Sequence, residues 1–189
     1  AGWTIGAGAT LTDVEDALGG ALPSLGSMLW LFASRPIRSR ATIAGNLVTA
    51  SPIGDLAPVF LSLDASVVLA SVRGRRTLPL SEFFTAYRKT VLAPDEIMLA
   101  VTVPSPPPDS TRIISSYKVS KRRELDISIT AAAFVVDTDE ANVVRHARLA
   151  YGGVAATPAR ARKAEALLVG KPWSEATWTL VRDELAGEF

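Results

Sequence analysis

Cysteine is absent from the 189 residues. Disulfides, thiolate zinc sites, iron–sulfur ligation and cysteine nucleophiles are therefore excluded within this chain. Histidine occurs once, as His146, so no multi-histidine metal site can be assembled and no metal ligand is assigned. His146 alternates with Val144 and Arg148 and is expected on a solvent-facing strand surface. A Ser-His-Asp triad would need it, yet no G-x-S-x-G elbow exists. No P-loop is present. Ile5-Gly6-Ala7-Gly8-Ala9-Thr10 comes nearest to a dinucleotide fingerprint, but Thr10-Leu11 stands where further glycine is required. No apolar run approaches the ~20 residues a membrane span needs. The segment Leu25 to Phe32 is short and is followed by Arg35, Arg38 and Arg40. No signal peptide is visible. Charge of one sign is lacking too: 20 basic and 19 acidic residues leave a net +1. That balance argues against nucleic-acid and membrane-surface partners.

What is present is ordinary for a soluble globular protein, with 48% hydrophobic and 21% charged residues. A cysteine-free chain of this kind fits the cytoplasm. It opens directly on Trp3-Thr4-Ile5, which reads as strand, as if cut from a longer polypeptide. The strand is expected over Thr4 to Gly8. Thr12-Asp13-Val14-Glu15 has capping-box form and predicts a helix from Thr12 to Gly19-Gly20. Pro23 opens a second helix, with Leu25, Met28, Leu29 and Phe32 on one face. Residues 33–55 follow neither helical nor strand periodicity. Asp55 is expected to cap a short helix to Leu63. Strands are predicted at Ala65 to Ser71, Arg76 to Leu80 and Ile97 to Val103, with a helical turn at Ser81 to Phe84.

Pro104-Ser105-Pro106-Pro107-Pro108 cannot join a sheet or helix interior. It divides the chain into residues 1–104 and 111–189, with 104–110 as linker. Beyond it, Ile113 to Val119, Ile127 to Asp137 and Val143 to Val154 read as a three-stranded meander. Thr157-Pro158 should start a helix to Val169, with Pro158 at its first position. Ser174 should cap a last helix from Glu175 to Leu185. The fold class is α+β.

Three segments carry candidate chemistry. Ala41 to Asp55 offers two glycines, the Asn46 amide, several hydroxyls and a carboxylate. These groups suit phosphate and ribose oxygens, and equally a polar loop that satisfies only its own backbone. Lys118 to Asp126 carries Lys118, Lys121, Arg122 and Arg123 against Glu124 and Asp126. That is either a charged loop beside a redox cofactor or a solvated hairpin turn. Tyr87 to Thr90, leading through Pro94 to Ile97-Met98, reads as helix into strand. It is either an apolar wall for an aromatic ring or plain core.

The run Ile37-Arg38-Ser39-Arg40-Ala41-Thr42-Ile43-Ala44-Gly45-Asn46, continuing to Ala50-Ser51-Pro52-Ile53-Gly54-Asp55, resembles a flavin-contact segment of the xanthine dehydrogenase family of molybdenum hydroxylases. Phe83-Phe84 with Tyr87-Arg88-Lys89-Thr90 is similar to a second family motif. Tyr117-Lys118 with Ser120-Lys121-Arg122 and Asp126-Ile127-Ser128 is similar to a third. Tyr151-Gly152-Gly153 and Pro158 to Ala161 resemble the C-terminal flavin subdomain. These motifs follow the family order along nearly the whole chain.

The resemblance implies the second half of a PCMH-type FAD-binding domain with a mixed or antiparallel sheet. A CO-dehydrogenase-flavoprotein-like subdomain, a three-stranded antiparallel sheet with helices, would follow it. Phe32, Ile37, Thr42, Gly45, Asn46, Thr49 and Asp55 fall where the family lines the FAD adenosine and diphosphate. Ile97 and Met98 fall where it packs a ring of the cofactor. Lys118 matches a lysine beside the flavin, and Asp126 ends a segment governing NAD access. Ala44 stands where the family has the first glycine of a pair; a positive φ there would cost alanine about 1 kcal/mol. The implied role is electron relay, from iron–sulfur and molybdopterin centres on other domains or chains, through FAD, to NAD as co-substrate. No side chain here is then a catalytic acid or base. The chain is expected within a hetero-oligomer with a molybdenum-binding partner and an iron–sulfur domain. The alternatives are the flavin subunit of a carbon-monoxide-dehydrogenase-like or aldehyde-oxidising enzyme, and a non-catalytic assembly module with a vestigial pocket.

Overall fold

The computed structural model describes residues 2–123 and 125–189; Ala1 and Glu124 of the charged segment lie outside them. Two four-stranded sheets share a layer of helices. The first contains β1 (Trp3–Gly6), β2 (Ser66–Ser71), β3 (Gly74–Pro79) and β6 (Ile97–Val103), in the order β1-β6-β2-β3. β4 (Phe84–Ala86) and β5 (Lys89–Thr90) form a separate small hairpin. The second sheet contains β7 (Thr111–Val119), β8 (Thr130–Thr138), β9 (Val144–Gly152) and β10 (Ala159–Arg160), in the order β10-β9-β8-β7. Every pairing among the described residues is antiparallel. The "mixed" part of the expectation drops away, and two residues of β10 extend the expected three-stranded meander.

The helices are α1 (Leu11–Leu18), α2 (Pro23–Leu31), α3 (Arg35–Arg38), α4 (Ile43–Val48), α5 (Leu56–Ser62), α6 (Arg162–Leu168) and α7 (Glu175–Leu185). Helix α1 begins earlier than predicted. The capping box is built by Thr10 with Asp13, not by Thr12 with Glu15. Segment 33–55 is not irregular, for it holds α3 and α4. Their four and six residues are too short to show a 3.6-residue period. Tyr87 to Thr90 is the β4–β5 hairpin and not a helix, with Arg88 in the left-handed region (φ 53°) at its tip. Pro158 does not open α6. The chain first adds β10 to the sheet, so α6 starts at Arg162. His146 is exposed as expected, whereas Val144 is fully buried, because an irregularity at Asp137/Thr138 shifts the register between them.

Helix α5 explains how the sheets are joined. All seven of its residues are buried, and it packs on β8 and β9 of the second sheet. Strand β8 is covered on both faces and reads as a nearly continuous apolar run for that reason. Ala131, Ala133 and Val135 enter the main core with α5, whereas Val136 enters a smaller core with Leu149, Leu168 and Val181 under α6 and α7. Helix α2 packs on β7. The start of β8 and the ends of α2 and α4 thereby converge on one face.

Candidate flavin site

A cleft of about 580 Å³ opens where these elements converge. Its walls come from the end of α2, from α4, from the loop entering α5, from the tip of the β4–β5 hairpin, and from the segment joining β7 to β8. One wall is apolar, with Phe32, Ala33 and Ile37. Lys118, Arg122, Ile127 and Ser128 line the cleft as well. Three non-glycine residues with left-handed φ line it: Ala33 at 45°, Arg88 at 53° and Leu125 at 54°. Such conformations cost of order 1 kcal/mol each and gather at ligand clamps.

Asp55 organises the floor. It occupies the cap position of α5 but makes no side-chain capping bond, contrary to the sequence expectation. Its carboxylate is turned to the cleft instead. Lys118 Nζ donates to Asp55 Oδ2 at 2.7 Å, and Ser128 Oγ donates to Asp55 Oδ1. The lysine and aspartate side chains are only 3% and 8% exposed. A desolvated ion pair is weak evidence for stability but fixes geometry, since removing either partner strands a buried charge. It ties α5, β7 and the start of β8 together.

Asn46, on α4, lines the same cleft. Its Oδ1 is shut off from solvent and has no hydrogen-bond partner among the described residues. A buried acceptor left unsatisfied costs about 1–3 kcal/mol, so this amide is suited to a donor that enters the cleft. Gly54 lies beside it; a Cβ there would stand 3.9 Å from Asn46 Oδ1 and 3.2 Å from the Ser51 carbonyl oxygen.

The neighbouring hydroxyls are already committed. Thr42 Oγ1 accepts from Gly45 N–H at 3.0 Å, and Thr49 Oγ1 donates to Gly45 C=O at 2.8 Å. Both satisfy the short helix itself. Ala44 is helical and 8% exposed, facing the main core. The left-handed conformation that would have penalised alanine there does not occur.

The charged loop is closed on itself. Arg122 N–H and Ile127 N–H donate to the two carboxylate oxygens of Asp126 at 2.8 and 2.9 Å, and Ser120 Oγ donates to Arg122 C=O at 2.6 Å. The backbone N–H of Arg122, more than that of Ile127, holds the Asp126 carboxyl below its ordinary range. Asp126 therefore stays ionised and shapes the loop at the mouth of the cleft.

Of the residues singled out in the sequence, the cleft brings together Phe32, Ile37, Asn46, Asp55, Lys118 and Asp126. Thr42, Gly45, Thr49, Ile97 and Met98 are not on its walls. Ile97 is 63% exposed at the start of β6, and Met98 is buried in the core. Sequence reasoning missed Ala33, Arg88 and Arg122 as wall residues. Arg88 and Arg122 lie inside the recognised motifs, which was an available signal. Nothing marked Ala33.

The sequence profile for "FAD binding domain in molybdopterin dehydrogenase" matches residues 1–106, and that for "CO dehydrogenase flavoprotein C-terminal domain" matches residues 115–189. Nicotinate hydroxylase hnxS of Emericella nidulans is 38% identical over 202 aligned residues, covering 98% of this chain and 15% of that protein. Xanthine dehydrogenase of the same organism is 38% identical over 182, covering 90% and 13%. Xanthine dehydrogenase/oxidase of Gallus gallus is 37% identical over 204, covering 100% and 15%. The chain thus spans a small fraction of the length of these relatives. Among solved structures, carbon monoxide dehydrogenase of Hydrogenophaga pseudoflava superposes with a TM-score of 0.88 at 29% identity, covering 96% of this chain and 62% of that one.

Proposed function

Because the chain belongs to the family of FAD-binding domains of molybdopterin dehydrogenases, we propose that the cleft under α2 and α4 holds part of an FAD molecule and that the whole protein is a xanthine-dehydrogenase-like molybdenum hydroxylase. The observation that carries this is a cleft with an apolar wall and cationic side chains, lined by Asn46, whose buried Oδ1 has no partner among the described residues. An apolar body with a few convergent polar groups is what a flat, partly charged cofactor requires.

When bound, FAD supplies the redox chemistry that accepts electrons from iron–sulfur centres and passes them to NAD. The chain's own residues bind and orient. Phe32, Ala33 and Ile37 offer apolar surface to a ring. Asn46 accepts a hydrogen bond from a cofactor donor, and its Nδ2 amide can donate to an oxygen. Lys118 is held in place by Asp55, whose other carboxylate oxygen accepts from Ser128. Arg88 and Arg122 place positive charge at the mouth, complementary to the phosphates of a dinucleotide. Asp126 keeps the loop folded there. Thr42, Gly45 and Thr49 support α4 and so the placement of Asn46, and Ile97 and Met98 lie outside the cleft walls. The iron–sulfur and molybdopterin centres would be carried by other domains or chains of a hetero-oligomer in the cytoplasm.

The structural likeness to a carbon monoxide dehydrogenase chain keeps a CO-oxidising enzyme as a second reading. The higher identity to xanthine dehydrogenases and a nicotinate hydroxylase favours a heterocycle hydroxylase. Fluorescence titration of the chain with FAD tests the flavin reading. Saturable quenching in the micromolar range, about −8 kcal/mol of binding free energy, is the expected result. No quenching with FAD at about a hundred times that concentration would sink it. Assay of the intact enzyme with purines, nicotinate, aldehydes and CO, each with NAD, separates the two readings.

A further inference from the structure

We propose that Arg38 is a positioning residue for the flavin cleft, holding the apolar wall in place from behind without touching the ligand. The inference rests on the flavin reading above.

Helix α2 ends at Leu31, and its last carbonyls need partners. A helix commonly closes with glycine in the left-handed region. Here that position is Ala33, with φ 45°, so the corner carries strain that something must hold. Arg38 supplies the restraint. Its Nη1 donates to both Phe32 C=O at 2.8 Å and Ala33 C=O at 3.1 Å. Its Nε donates to Glu15 Oε2 at 3.1 Å. The arginine side chain is only 12% exposed and the glutamate 29%. One guanidinium thus joins α1, the end of α2 and α3.

The two carbonyls it grips belong to Phe32 and Ala33, which line the cleft; Arg38 and Glu15 do not. The planar fork of arginine suits two adjacent carbonyls and a carboxylate at once, which a lysine ammonium on its flexible stem matches poorly. Loss of the fork frees a strained corner, and the wall formed by Phe32, Ala33 and Ile37 loosens while every side chain facing the ligand remains.

The test is FAD titration of the full chain as wild type, Arg38→Met, Arg38→Lys and Arg112→Met, together with visible circular dichroism of the bound flavin and apo-protein melting. Arg112 makes a half-buried ion pair with Asp137, at 2.7 Å, outside the cleft, so its loss controls for general destabilisation. Arg38→Met is expected to weaken FAD binding roughly 10- to 100-fold, as for loss of charged hydrogen bonds, and to alter the flavin dichroism. Arg38→Lys should recover part of the affinity. Arg112→Met should melt earlier yet bind FAD as wild type does. If Arg38→Met does not fold, Arg38→Lys decides, with weakening of about tenfold expected. Wild-type affinity and dichroism in either folded Arg38 variant overturns the proposal and leaves the flavin reading standing, as does equal weakening in Arg112→Met. Failure of the wild type itself to bind overturns both.

Discussion

Asn46 makes the flavin reading testable at a single side chain, because its structural and ligand-binding roles predict opposite signs. Removing a buried acceptor that has no partner relieves a desolvation cost, so Asn46→Ala should leave the apo protein as stable as wild type, or more stable by about 1 kcal/mol. The same change removes a group a ligand would satisfy, and FAD affinity should fall about tenfold. Thermal melting and fluorescence titration on one preparation read both. A drop in melting temperature with unchanged affinity would make Asn46 a structural residue. Lys118 offers no such separation: its ammonium is buried against Asp55, and truncation would strand that carboxylate and damage fold and site together.

Helices α1 and α2 show what the sequence could and could not disclose. Gly26 sits inside α2, where propensity alone favours alanine by about 0.5–1 kcal/mol. The structure reverses the sign. A Cβ on Gly26 would stand 2.6 Å from the Gly19 carbonyl oxygen, and one on Gly19 would stand 3.6 Å from Gly26 Cα. The two helices cross at these glycines with no room for a methyl group. Gly26→Ala should cost about 1–3 kcal/mol by overpacking, whereas Gly20→Ala, with open space around it, should be nearly neutral; urea midpoints compare them. A midpoint for Gly26→Ala at or above wild type would show that the helices separate without penalty. Long-range approach of this kind leaves no local trace in a sequence. Signals contained within one element were legible: Ile97–Val103 and Glu175–Leu185 have the predicted bounds, and Pro23 opens α2. The site was legible only where a motif named it. The Lys118–Asp55–Ser128 cluster joins positions 63 and 73 residues apart. The Gly152-Gly153 pair marks another long-range approach. Gly153, at φ 88°, would put a Cβ 2.2 Å from the Ile129 carbonyl oxygen, and its N–H donates to Pro52 C=O at 2.8 Å, which brings the end of β9 against the cleft loop.

The two sheets should unfold together, although each has strands, helices and a sequence profile of its own. The main core draws residues from both sides of the proline run: Val67, Val101 and Phe60 from one side, Ala131, Val135 and Ala150 from the other. With α5 buried in that shared core, neither half can leave without exposing apolar surface that the other covers. Asp64 reinforces the join at the surface. It follows α5 with φ 50° and accepts from Arg148 Nε on β9 at 2.6 Å and from Arg160 Nη1 on β10 at 2.8 Å. Arg160 is in turn paired with the buried Glu165. Asp64 is 44% exposed, so solvent screening limits what these pairs contribute. Asp64→Asn keeps a side chain that tolerates the left-handed region and removes only the charge. It should cost about 1 kcal/mol and lower the melting temperature by about 2–4 °C. Calorimetry of wild type and variant should give one transition each, with equal calorimetric and van't Hoff enthalpies. Two resolved transitions in the wild type would mean that α5 does not couple the sheets. In that case the cleft, whose walls come from both sides of the proline run, would owe its shape to the bound cofactor instead of to the shared core.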